Sequence, residues 1–490
     1  MFFDAFKDKD TLGIFLFILG IIYLLFVTYI GISMFSIWFD ETFSMMLVTL
    51  PFSQAIEIAL NDVHPPLYYI ILKLFVKIFS SFIPLEIISR LVSTIPMYLI
   101  VILSYKKVRK MFDWLTAGLF TLCIITMPQL MLYSVEIRMY SWGLFFITAS
   151  FIYAYDIYKN GFDLKNMGIL TFLTICSAYT HYFSAIASFS IYLYLLIFLI
   201  RNRREDLKYF FTSTAISILA YVPWIFIVFN QYSLIQNRLW IDPISFKTII
   251  SYVYYVLSPA NILVRGDEIL SPTILGTIFL IIFIFLVFKV KDKYSINGIL
   301  ILVSVVLIGV LISITVKPFF HARYMIPSLG CFWLAFSILL SKIYDNKKLF
   351  IPILIFVLII GAVGCVYFIN IESQLASDTQ KEFSEINDVI GSGNIVAVDN
   401  GNMYVELLGY YSKDNHYLCW IENFSQSLYQ ALDDPGIKGE IEAGSHVFYI
   451  DYDQENIDEL QKYNLTLEFK GEYTDYSLGN NPFRIYEIIP

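Results

Sequence analysis

Long apolar stretches, almost free of charge, recur along the first three quarters of the chain. Four of the clearest are Leu12–Phe26, Ile274–Phe288, Ile299–Ile314 and Phe350–Ile369. Each is about the length that a helix needs to cross a hydrocarbon core of about 30 Å. Because backbone polar groups in lipid must be satisfied within their own segment, these stretches predict transmembrane helices. They lack the apolar and polar alternation of a membrane β-strand.

The composition supports the same interpretation. Hydrophobic residues make up 58% of the chain, whereas a soluble domain has about 45–50%. The first apolar stretch lacks a small-residue cleavage site, so we expect it to remain as a helix. Four of the five cysteines lie in apolar stretches, a pattern that predicts neither a disulfide framework nor a metal site. The sequence therefore predicts a multi-pass protein of the lipid bilayer, with no assured cofactor and no nucleic-acid partner.

Basic residues predict the orientation of the spans, since Lys and Arg collect on the cytoplasmic side of short loops. Dense basic clusters include Lys106, Arg201, Lys289 and Lys342. Placing all four clusters in the cytoplasm predicts eleven spans across a plasma membrane. The N-terminus is then cytoplasmic, and the C-terminal tail is extracytoplasmic.

The apolar stretch at residues 66–83 is excluded from this count because Lys73 and Lys77 lie at its centre. Each lysine would cost about 2.5–3.5 kcal/mol in the middle of a bilayer. Being four residues apart, the two lysines share one face of a helix. We therefore expect this helix to lie on the outer surface of the membrane.

Residues 371–490 differ from the rest of the chain. They hold 22 acidic and 6 basic residues, whereas the first 370 residues hold 19 acidic and 27 basic ones. Strand-like pieces alternate with helix-like pieces. The strand-like pieces are Asn394–Val398, His446–Asp451 and Arg484–Ile489, and the helix-like pieces are Thr379–Ile390 and Glu455–Tyr463. The pattern predicts a membrane domain over residues 1–370 and a small, soluble, acidic α/β domain over residues 371–490.

The first outer loop, residues 35–85, carries the main candidate chemistry. It opens on two adjacent carboxylates, Asp40 and Glu41, directly after a span. Charges close to lipid are costly and therefore often functional, although an ordinary polar helix exit has the same appearance. Later in the loop, His64 precedes two prolines that can begin a helix. His64 then lies near a helix N-terminus, which favours anions, unless it is an incidental residue of a turn.

Three further outer loops carry polar residues at the mouths of spans. They are Glu136, Arg138 and Tyr140 in one loop, His181 and Tyr182 in the second, and Lys317, His321 and Arg323 in the third. The guanidinium of Arg138 suits a phosphate, although a snorkelling anchor or a pair with Glu136 fits equally well. His181 alone is more typical of a buried, satisfied histidine. The third loop places three potential cations outside, against the charge trend, which indicates an anionic partner.

Taken together, these segments resemble the polytopic glycosyltransferases of the C-type fold. The resemblance covers about residues 1–345 and rests on five motifs in order. They are Trp38-Phe39-Asp40-Glu41, His64-Pro65-Pro66-Leu67-Tyr68-Tyr69, Tyr133-Ser134-Val135-Glu136-Ile137-Arg138-Met139-Tyr140, Thr180-His181-Tyr182-Phe183 and Arg323-Tyr324-Met325-Ile326-Pro327. The pattern is similar to that of the protein-mannosyltransferase and lipid A aminoarabinose transferase branch. It implies an all-α membrane domain of about eleven helices, which the small α/β domain follows.

The resemblance also implies a reaction. The donor is a sugar linked to a polyprenyl phosphate, and transfer to a protein, lipid or glycan acceptor takes place outside the membrane with inversion. Asp40 is expected to be the general base, and Glu41 is expected to position the acceptor. Arg138 would grip the donor phosphate, and the other residues expected around the donor are His64, Glu136, Tyr140, His181, Tyr182, His321 and Arg323. Relatives share no single metal requirement, and no residue cluster in this chain predicts a divalent-metal site.

Two other classes of function fit part of the pattern. A transporter or flippase of lipid-linked sugars predicts ionisable residues in the middle of spans, but the acids and cations singled out above lie in outer loops. A non-catalytic membrane anchor for the acidic tail would not require Asp40 and Glu41. A glycan polymerase or ligase is a further alternative whose chemistry is close to that of a glycosyltransferase.

Overall fold

The structure, a computed structural model, describes residues 8–33, 36–235, 241, 243–259, 270–399, 402–412, 414–420, 424–451, 457–475 and 481–489. The chain forms two compact units. The membrane unit comprises Met1–Ser33 and Leu47–Ile369, and the C-terminal unit comprises Met34–Met46 and Asn370–Pro490. The segment with Asp40 and Glu41, which the sequence analysis placed in the membrane domain, therefore belongs to the C-terminal unit.

Sixteen helices precede the first strand, as numbered here from the described residues. They are α1 Lys9–Ser33, α2 Phe39–Thr49, α3 Phe52–Asn61, α4 Leu67–Phe79, α5 Leu85–Leu103, α6 Trp114–Thr126, α7 Leu130–Val135, α8 Tyr140–Asn160, α9 Leu164–Ala178, α10 Tyr182–Asn202, α11 Leu207–Ile235, α12 Phe246–Leu257, α13 Leu270–Val290, α14 Lys293–Thr315, α15 Ile326–Lys342 and α16 Lys347–Ile390. Short helical turns at Ser104–Val108 and Arg109–Met111 extend α5, and a 3-10 turn at Ala322–Met325 precedes α15.

Eight of the described helices are long and apolar enough to cross a membrane, so the prediction of a multi-pass membrane protein is confirmed. Three more predicted spans coincide with α6, α8 and α9. Helices α6 and α9 have 13 and 15 residues, fewer than the roughly 20 of a typical span. Helix α8 has 21 residues but is not among the eight apolar helices. The count of eleven crossings therefore stays a prediction.

Helix α4 occupies the stretch that was excluded from the spans. Its 13 residues give a length of about 20 Å, which is short of the membrane thickness. The ammonium group of Lys73 donates a hydrogen bond of 2.8 Å to the carbonyl of Val48 and a second bond to the carbonyl of Leu50. These carbonyls lie at the C-terminal end of α2, which favours a cation. The surface position of α4 remains a prediction.

The core of the membrane unit contains α6, α8 and α15, which are buried along almost their whole length. Their neighbours approach at small residues, as is usual in membrane helix packing. A Cβ atom added at Gly118 of α6 would lie 2.1 Å from the carbonyl oxygen of Gly13 in α1. One added at Gly330 of α15 would lie 1.8 Å from Oγ1 of Thr148 in α8. The backbones of these helix pairs are therefore almost in contact.

The C-terminal unit contains a five-stranded mixed sheet, which confirms the predicted small α/β domain. Its strands are β1 Ile395–Asp399, β2 His416–Trp420, β3 Val447–Asp451, β4 Thr466–Asp475 and β5 Asn481–Ile489. The spatial order is β2-β1-β3-β5-β4, with β1 parallel to β2 and β3, and β5 antiparallel to β3 and β4. The described helices between the strands are α17 Asn402–Tyr411, α18 Phe424–Leu432, α19 Pro435–Glu442 and α20 Ile457–Lys462.

The helix predicted at Thr379–Ile390 is confirmed, and it forms the last part of the 44-residue helix α16. No glycine or proline lies between Ile369 and Thr379, so nothing in the sequence breaks the helix there. The helix expected at Glu455–Tyr463 is present as α20, and residues 455 and 456 lie outside the described residues.

We predict that Gly118→Ala lowers the thermal unfolding midpoint in detergent. The added methyl group clashes with the carbonyl of Gly13, and overpacking of this kind costs about 1–3 kcal/mol. Gly168→Ala is the matched control, because a Cβ at Gly168 in α9 would meet nothing within 4 Å. Equal midpoints for the two variants would contradict the close approach of α1 and α6.

Candidate functional site

The two adjacent acids occupy the first turn of α2, where the helix dipole favours negative charge. Glu41 is fully buried, and its Oε2 atom accepts a hydrogen bond of 3.3 Å from the backbone N–H of Trp38. This contact is one half of a capping box, since Glu41 lies three residues after Trp38. Asp40 is only partly buried. The structure therefore gives Glu41 a role in starting the helix, and Asp40 is the more accessible acid.

The loop between α3 and α4 places His64 in the membrane unit. Two prolines follow His64, and the first N–H of α4, at Leu67, donates a hydrogen bond of 3.0 Å to the carbonyl of Tyr179. This bond ties the loop to the end of α9. His64 is 7% exposed, so its imidazole lies within the protein.

Four polar side chains then close a ring, which we call the Arg138 ring: Asp62, His64, Tyr69 and Arg138. The Oδ2 atom of Asp62 lies 3.4 Å from Nδ1 of His64 and accepts a bond of 3.4 Å from the Tyr69 hydroxyl. The guanidinium of Arg138 completes the ring, with Nη1 at 3.4 Å from the Tyr69 hydroxyl and Nη2 at 3.4 Å from Nδ1 of His64. All four distances exceed the usual 2.9–3.0 Å. The groups are thus assembled without tight mutual bonds.

Opposite charges balance within the Arg138 ring, in which His64, Tyr69 and Arg138 are buried and Asp62 is half-buried. Arg138 is 3% exposed. Burial alone would raise the pKa of Asp62, but the hydrogen bond with His64 and the positive charges of His64 and Arg138 outweigh it, so that pKa is lowered. Asp62 therefore stays ionised opposite Arg138. The Nδ1 atom of His64 lies between Asp62, which can accept a hydrogen bond, and Arg138, which can donate one. The tautomer of the imidazole therefore decides which of the two contacts is a hydrogen bond.

Aromatic side chains continue from this ring towards the loop of Arg323. The imidazole of His181 lies 6.1 Å from that of His64, 5.5 Å from the ring of Tyr140 and 5.3 Å from the ring of Tyr324, measured between centroids. The guanidinium of Arg323 lies 5.9 Å from the Tyr324 ring. The Tyr140 hydroxyl is buried and has no hydrogen-bond partner within the described part of the chain, so it is available to a ligand.

His181 and His321 play the same local role, and neither is a cation. In each, Nδ1 accepts the backbone N–H of the residue two positions later, Phe183 at 3.2 Å and Arg323 at 3.3 Å. Burial, followed by the nearby charges of His64, Arg323 and Arg138, lowers the pKa of His181 well below its usual value. Burial and the charge of Arg323 lower the pKa of His321 to about 4. Of the three potential cations in the third loop, His321 is therefore neutral at pH 7.

Tyr182 supports the site through a chain of hydrogen bonds. Its hydroxyl accepts a bond of 3.2 Å from the indole N–H of Trp224 and donates to the side-chain oxygen of Gln231. The amide of Gln231 donates to the carbonyl of Leu60 at 3.2 Å, close to the end of α3. These contacts hold the chain just before Asp62, so the structure gives Tyr182 a supporting role.

Sequence reasoning missed two residues of the site, Asp62 and Arg90. Asp62 lies two positions before His64, but nothing local showed that it would face Arg138. Arg90 is 2% exposed within α5, and its Nη1 atom donates a hydrogen bond of 3.0 Å to the carbonyl of Val135. It thereby holds the loop that contains Glu136, itself 4% exposed, and Arg138. An arginine inside an apolar stretch was the signal that could have revealed it.

Within the described part of the chain, no group of three or more His, Cys, Asp and Glu residues could hold a metal ion. The candidate site in the membrane unit contains cations, aromatic rings and the carboxylates of Asp62 and Glu136. Such a set suits an anion with an attached apolar or sugar group.

Comparison with known proteins identifies the fold. No protein-family model and no curated protein matches the chain. Among solved structures, ArnT from Cupriavidus metallidurans in the apo state matches with a TM-score of 0.60 and 9% identity over 96% of this chain and 97% of that one. The same protein bound to undecaprenyl phosphate matches with a TM-score of 0.57 and 11% identity over the same shares. The chain has the fold of ArnT.

ArnT is a lipid A aminoarabinose transferase of the C-type glycosyltransferase fold. The resemblance drawn from the five motifs is thus confirmed for the fold. The archaeal oligosaccharyltransferase AglB from Archaeoglobus fulgidus, in complex with an inhibitory peptide and a dolichol-phosphate, has a TM-score of 0.42 and 11% identity over 95% of this chain and 74% of that one.

We predict that Asp62→Asn lowers the thermal unfolding midpoint at pH 7, since it removes the negative charge within the Arg138 ring. The loss should be about 1–3 kcal/mol, as for other buried polar groups that lose a partner. Because the pKa of Asp62 is lowered from its ordinary 3.8, its stabilising effect is complete above that value and disappears as the pH falls through the lower folded pKa. The midpoints of the two proteins should therefore converge only in acid.

Asp345→Asn is the matched control, because Asp345 is exposed and should have almost no effect at either pH. A midpoint of Asp62→Asn equal to that of the wild type at pH 7 would contradict the charge balance.

Proposed function

We propose that this protein is a membrane glycosyltransferase that moves a sugar from a polyprenyl-phosphate carrier to an acceptor. The fold of ArnT over 96% of the chain supports this proposal. The observation that carries it is the buried Arg138 ring at the mouth of several membrane helices. A guanidinium held in this way, beside the imidazole of His64 and the phenol of Tyr69, is suited to the phosphate of a lipid donor.

The donor phosphate would take its bonds mainly from Arg138. The two terminal nitrogens of its side chain lie 3.4 Å from Tyr69 and His64, longer than charge-assisted bonds to an oxyanion, which are about 2.7–2.9 Å. A phosphate can therefore replace these contacts with stronger ones. Arg323, and the hydroxyl of Tyr140, would supply further contacts to the charge or to the sugar.

A small apolar cavity lies beside the Arg138 ring, along α3 and α4, and is proposed to mark where the isoprenoid part of the donor begins. Its lining is almost entirely apolar and includes Phe52, Ile56, Ile70 and Tyr69. The Tyr69 hydroxyl contacts Arg138, so one side chain joins the cavity to the ring. A lipid phosphate whose chain begins at this cavity would present its headgroup to Arg138.

Asp40 is proposed as the general base. The acceptor hydroxyl gives its proton to the Asp40 carboxylate while its oxygen attacks the anomeric carbon, and the bond from that carbon to the phosphate oxygen breaks. This displacement inverts the anomeric carbon, and Arg138 stabilises the departing phosphate. Glu41 is proposed to fix the turn that carries Asp40 and to help position the acceptor, which is a protein, a lipid or a glycan.

The proposed orientation has a cytoplasmic N-terminus and an extracytoplasmic C-terminal domain, with the site facing outwards. Its support is the distribution of Lys and Arg along the loops. A donor phosphate bound to the outer-loop residues would then lie at the outer membrane surface.

We predict that Asp40→Asn lowers kcat for sugar transfer by about 10²–10⁴-fold, the usual cost of losing a general base, and leaves the donor KM almost unchanged. The assay uses purified protein in nanodiscs with polyprenyl-phosphate sugars. Arg138→Lys keeps the charge but loses the planar fork, so it should mainly raise the donor KM. Glu41→Gln should cost less than Asp40→Asn.

Asp345→Asn and Arg204→Lys, both at exposed positions, are the matched controls and should behave as the wild type. Wild-type kcat in Asp40→Asn would refute its role as the base. Absence of transfer by the wild type from every polyprenyl-phosphate sugar would refute the proposed function.

We predict that a cysteine at Gly439, which is exposed in α19, reacts with a membrane-impermeant maleimide on intact cells. The background is a variant without the five native cysteines. A cysteine at Glu205, exposed beside the Arg201 cluster, should react only after the membrane is opened. The reverse pattern would overturn the proposed orientation.

A further inference from the structure

A tyrosine of the C-terminal unit binds the segment that carries the two acids. The hydroxyl of Tyr411, the last residue of α17, accepts a hydrogen bond of 3.0 Å from the backbone N–H of Ile37. The same hydroxyl donates a bond of 3.0 Å to the backbone carbonyl of Ile37. Both polar groups of one peptide residue are thus bound by one side chain. Ile37 is 5% exposed, so water does not readily replace these bonds.

Tyr411 is itself fixed within the C-terminal unit. Its ring stacks on Phe383 of α16, with centroids 4.3 Å apart and an angle of 14° between the planes. The side-chain amide of Asn387, one turn further along α16, donates to the Tyr411 carbonyl at 3.4 Å. Phe39, two residues after Ile37, packs against the same apolar core. The segment is therefore anchored by a hydrogen-bonded backbone and by an apolar side chain.

The anchor lies three residues before Asp40. Helix α2 begins between them, and the carbonyl of Trp38 accepts the N–H groups of Glu41 at 2.9 Å and Thr42 at 3.0 Å. The first turn of α2 sets the direction of the Asp40 side chain. The position of the Ile37 backbone sets where that turn begins. A base acts only within hydrogen-bond reach of its proton, and a displacement of about 1 Å can cost about 10²-fold in rate.

We propose that the C-terminal domain serves catalysis by positioning Asp40, and that Tyr411 is the positioning residue. This inference rests on the proposed function, in which Asp40 is the base. It assigns a role to the α/β domain. In this proposal Tyr411 belongs to neither the donor nor the acceptor site, and it acts through the backbone of Ile37.

The test compares Tyr411→Phe with Tyr417→Phe in the full chain. Tyr411→Phe keeps the ring that stacks on Phe383 and removes only the hydroxyl. Tyr417 packs against the same core, but its hydroxyl donates to the carbonyl of Ser412 at 2.7 Å. It is therefore a matched control for the loss of a hydroxyl in this domain.

The first measurement is hydrogen exchange of the backbone amides over residues 36–46, which requires no substrate. We expect faster exchange of this segment in Tyr411→Phe and unchanged exchange in Tyr417→Phe. Unchanged amide exchange in Tyr411→Phe would show that Tyr411 does not anchor this segment, whatever reaction the protein catalyses.

The second measurement is sugar transfer. Tyr411→Phe should lower kcat by about 10- to 100-fold with the donor KM within about twofold, since the Arg138 ring belongs to the other unit. In the Asp40→Asn background, Tyr411→Phe should not lower kcat further, because Tyr411 acts on the reaction only by positioning Asp40. A full additional loss in that background would overturn the positioning role. Faster exchange without any transfer by the wild type would instead refute the proposed function and leave the anchor standing.

Discussion

Burial of the Arg138 guanidinium is the constraint on which the rest of the site depends. A charge taken out of water is costly, and it is tolerated only where partners replace its hydration. Asp62 supplies the opposite charge, and Tyr69 and His64 supply the neighbouring polar atoms. Because two of these residues lie on the loop before α4 and one lies on α4, the need to satisfy Arg138 also fixes the path of that loop.

The helices of the membrane unit are closely packed. Where small residues face each other, as at Gly118 and Gly13, the backbones approach almost to contact. Buried polar contacts hold the loops between these helices. Arg90 holds the loop before Arg138 from within α5, and Gln231 holds the end of α3 from within α11. A transporter is expected to carry ionisable residues within its spans. In this protein the arginine within α5, Arg90, instead holds a loop.

The C-terminal domain adds a second kind of support. Its sheet and helices form an apolar core against which Phe39 packs, and Tyr411 binds both backbone groups of Ile37. The residues proposed to bind the donor phosphate and the residue proposed as base thus belong to separate compact units.

The sequence by itself determined the features that depend on local composition. Apolar stretches set the membrane helices, and strand and helix patterns set the α/β character of the tail. The motif residues His64 and Arg138 were identified from their positions at helix mouths. Their direct contact, however, joins positions that are 74 residues apart, and it depends on how whole helices pack.

Only the tertiary structure decided the remaining features. Asp62 became part of the site because the loop before α4 turns its carboxylate towards Arg138. His321 lost its expected charge because burial and Arg323 disfavour the imidazolium. The Asp40 segment joined the C-terminal unit because Ile37 and Phe39 found partners beyond residue 370. Local patterns encode helices and strands, whereas burial, charge balance and long-range partners appear only when the distant parts of the chain are folded together.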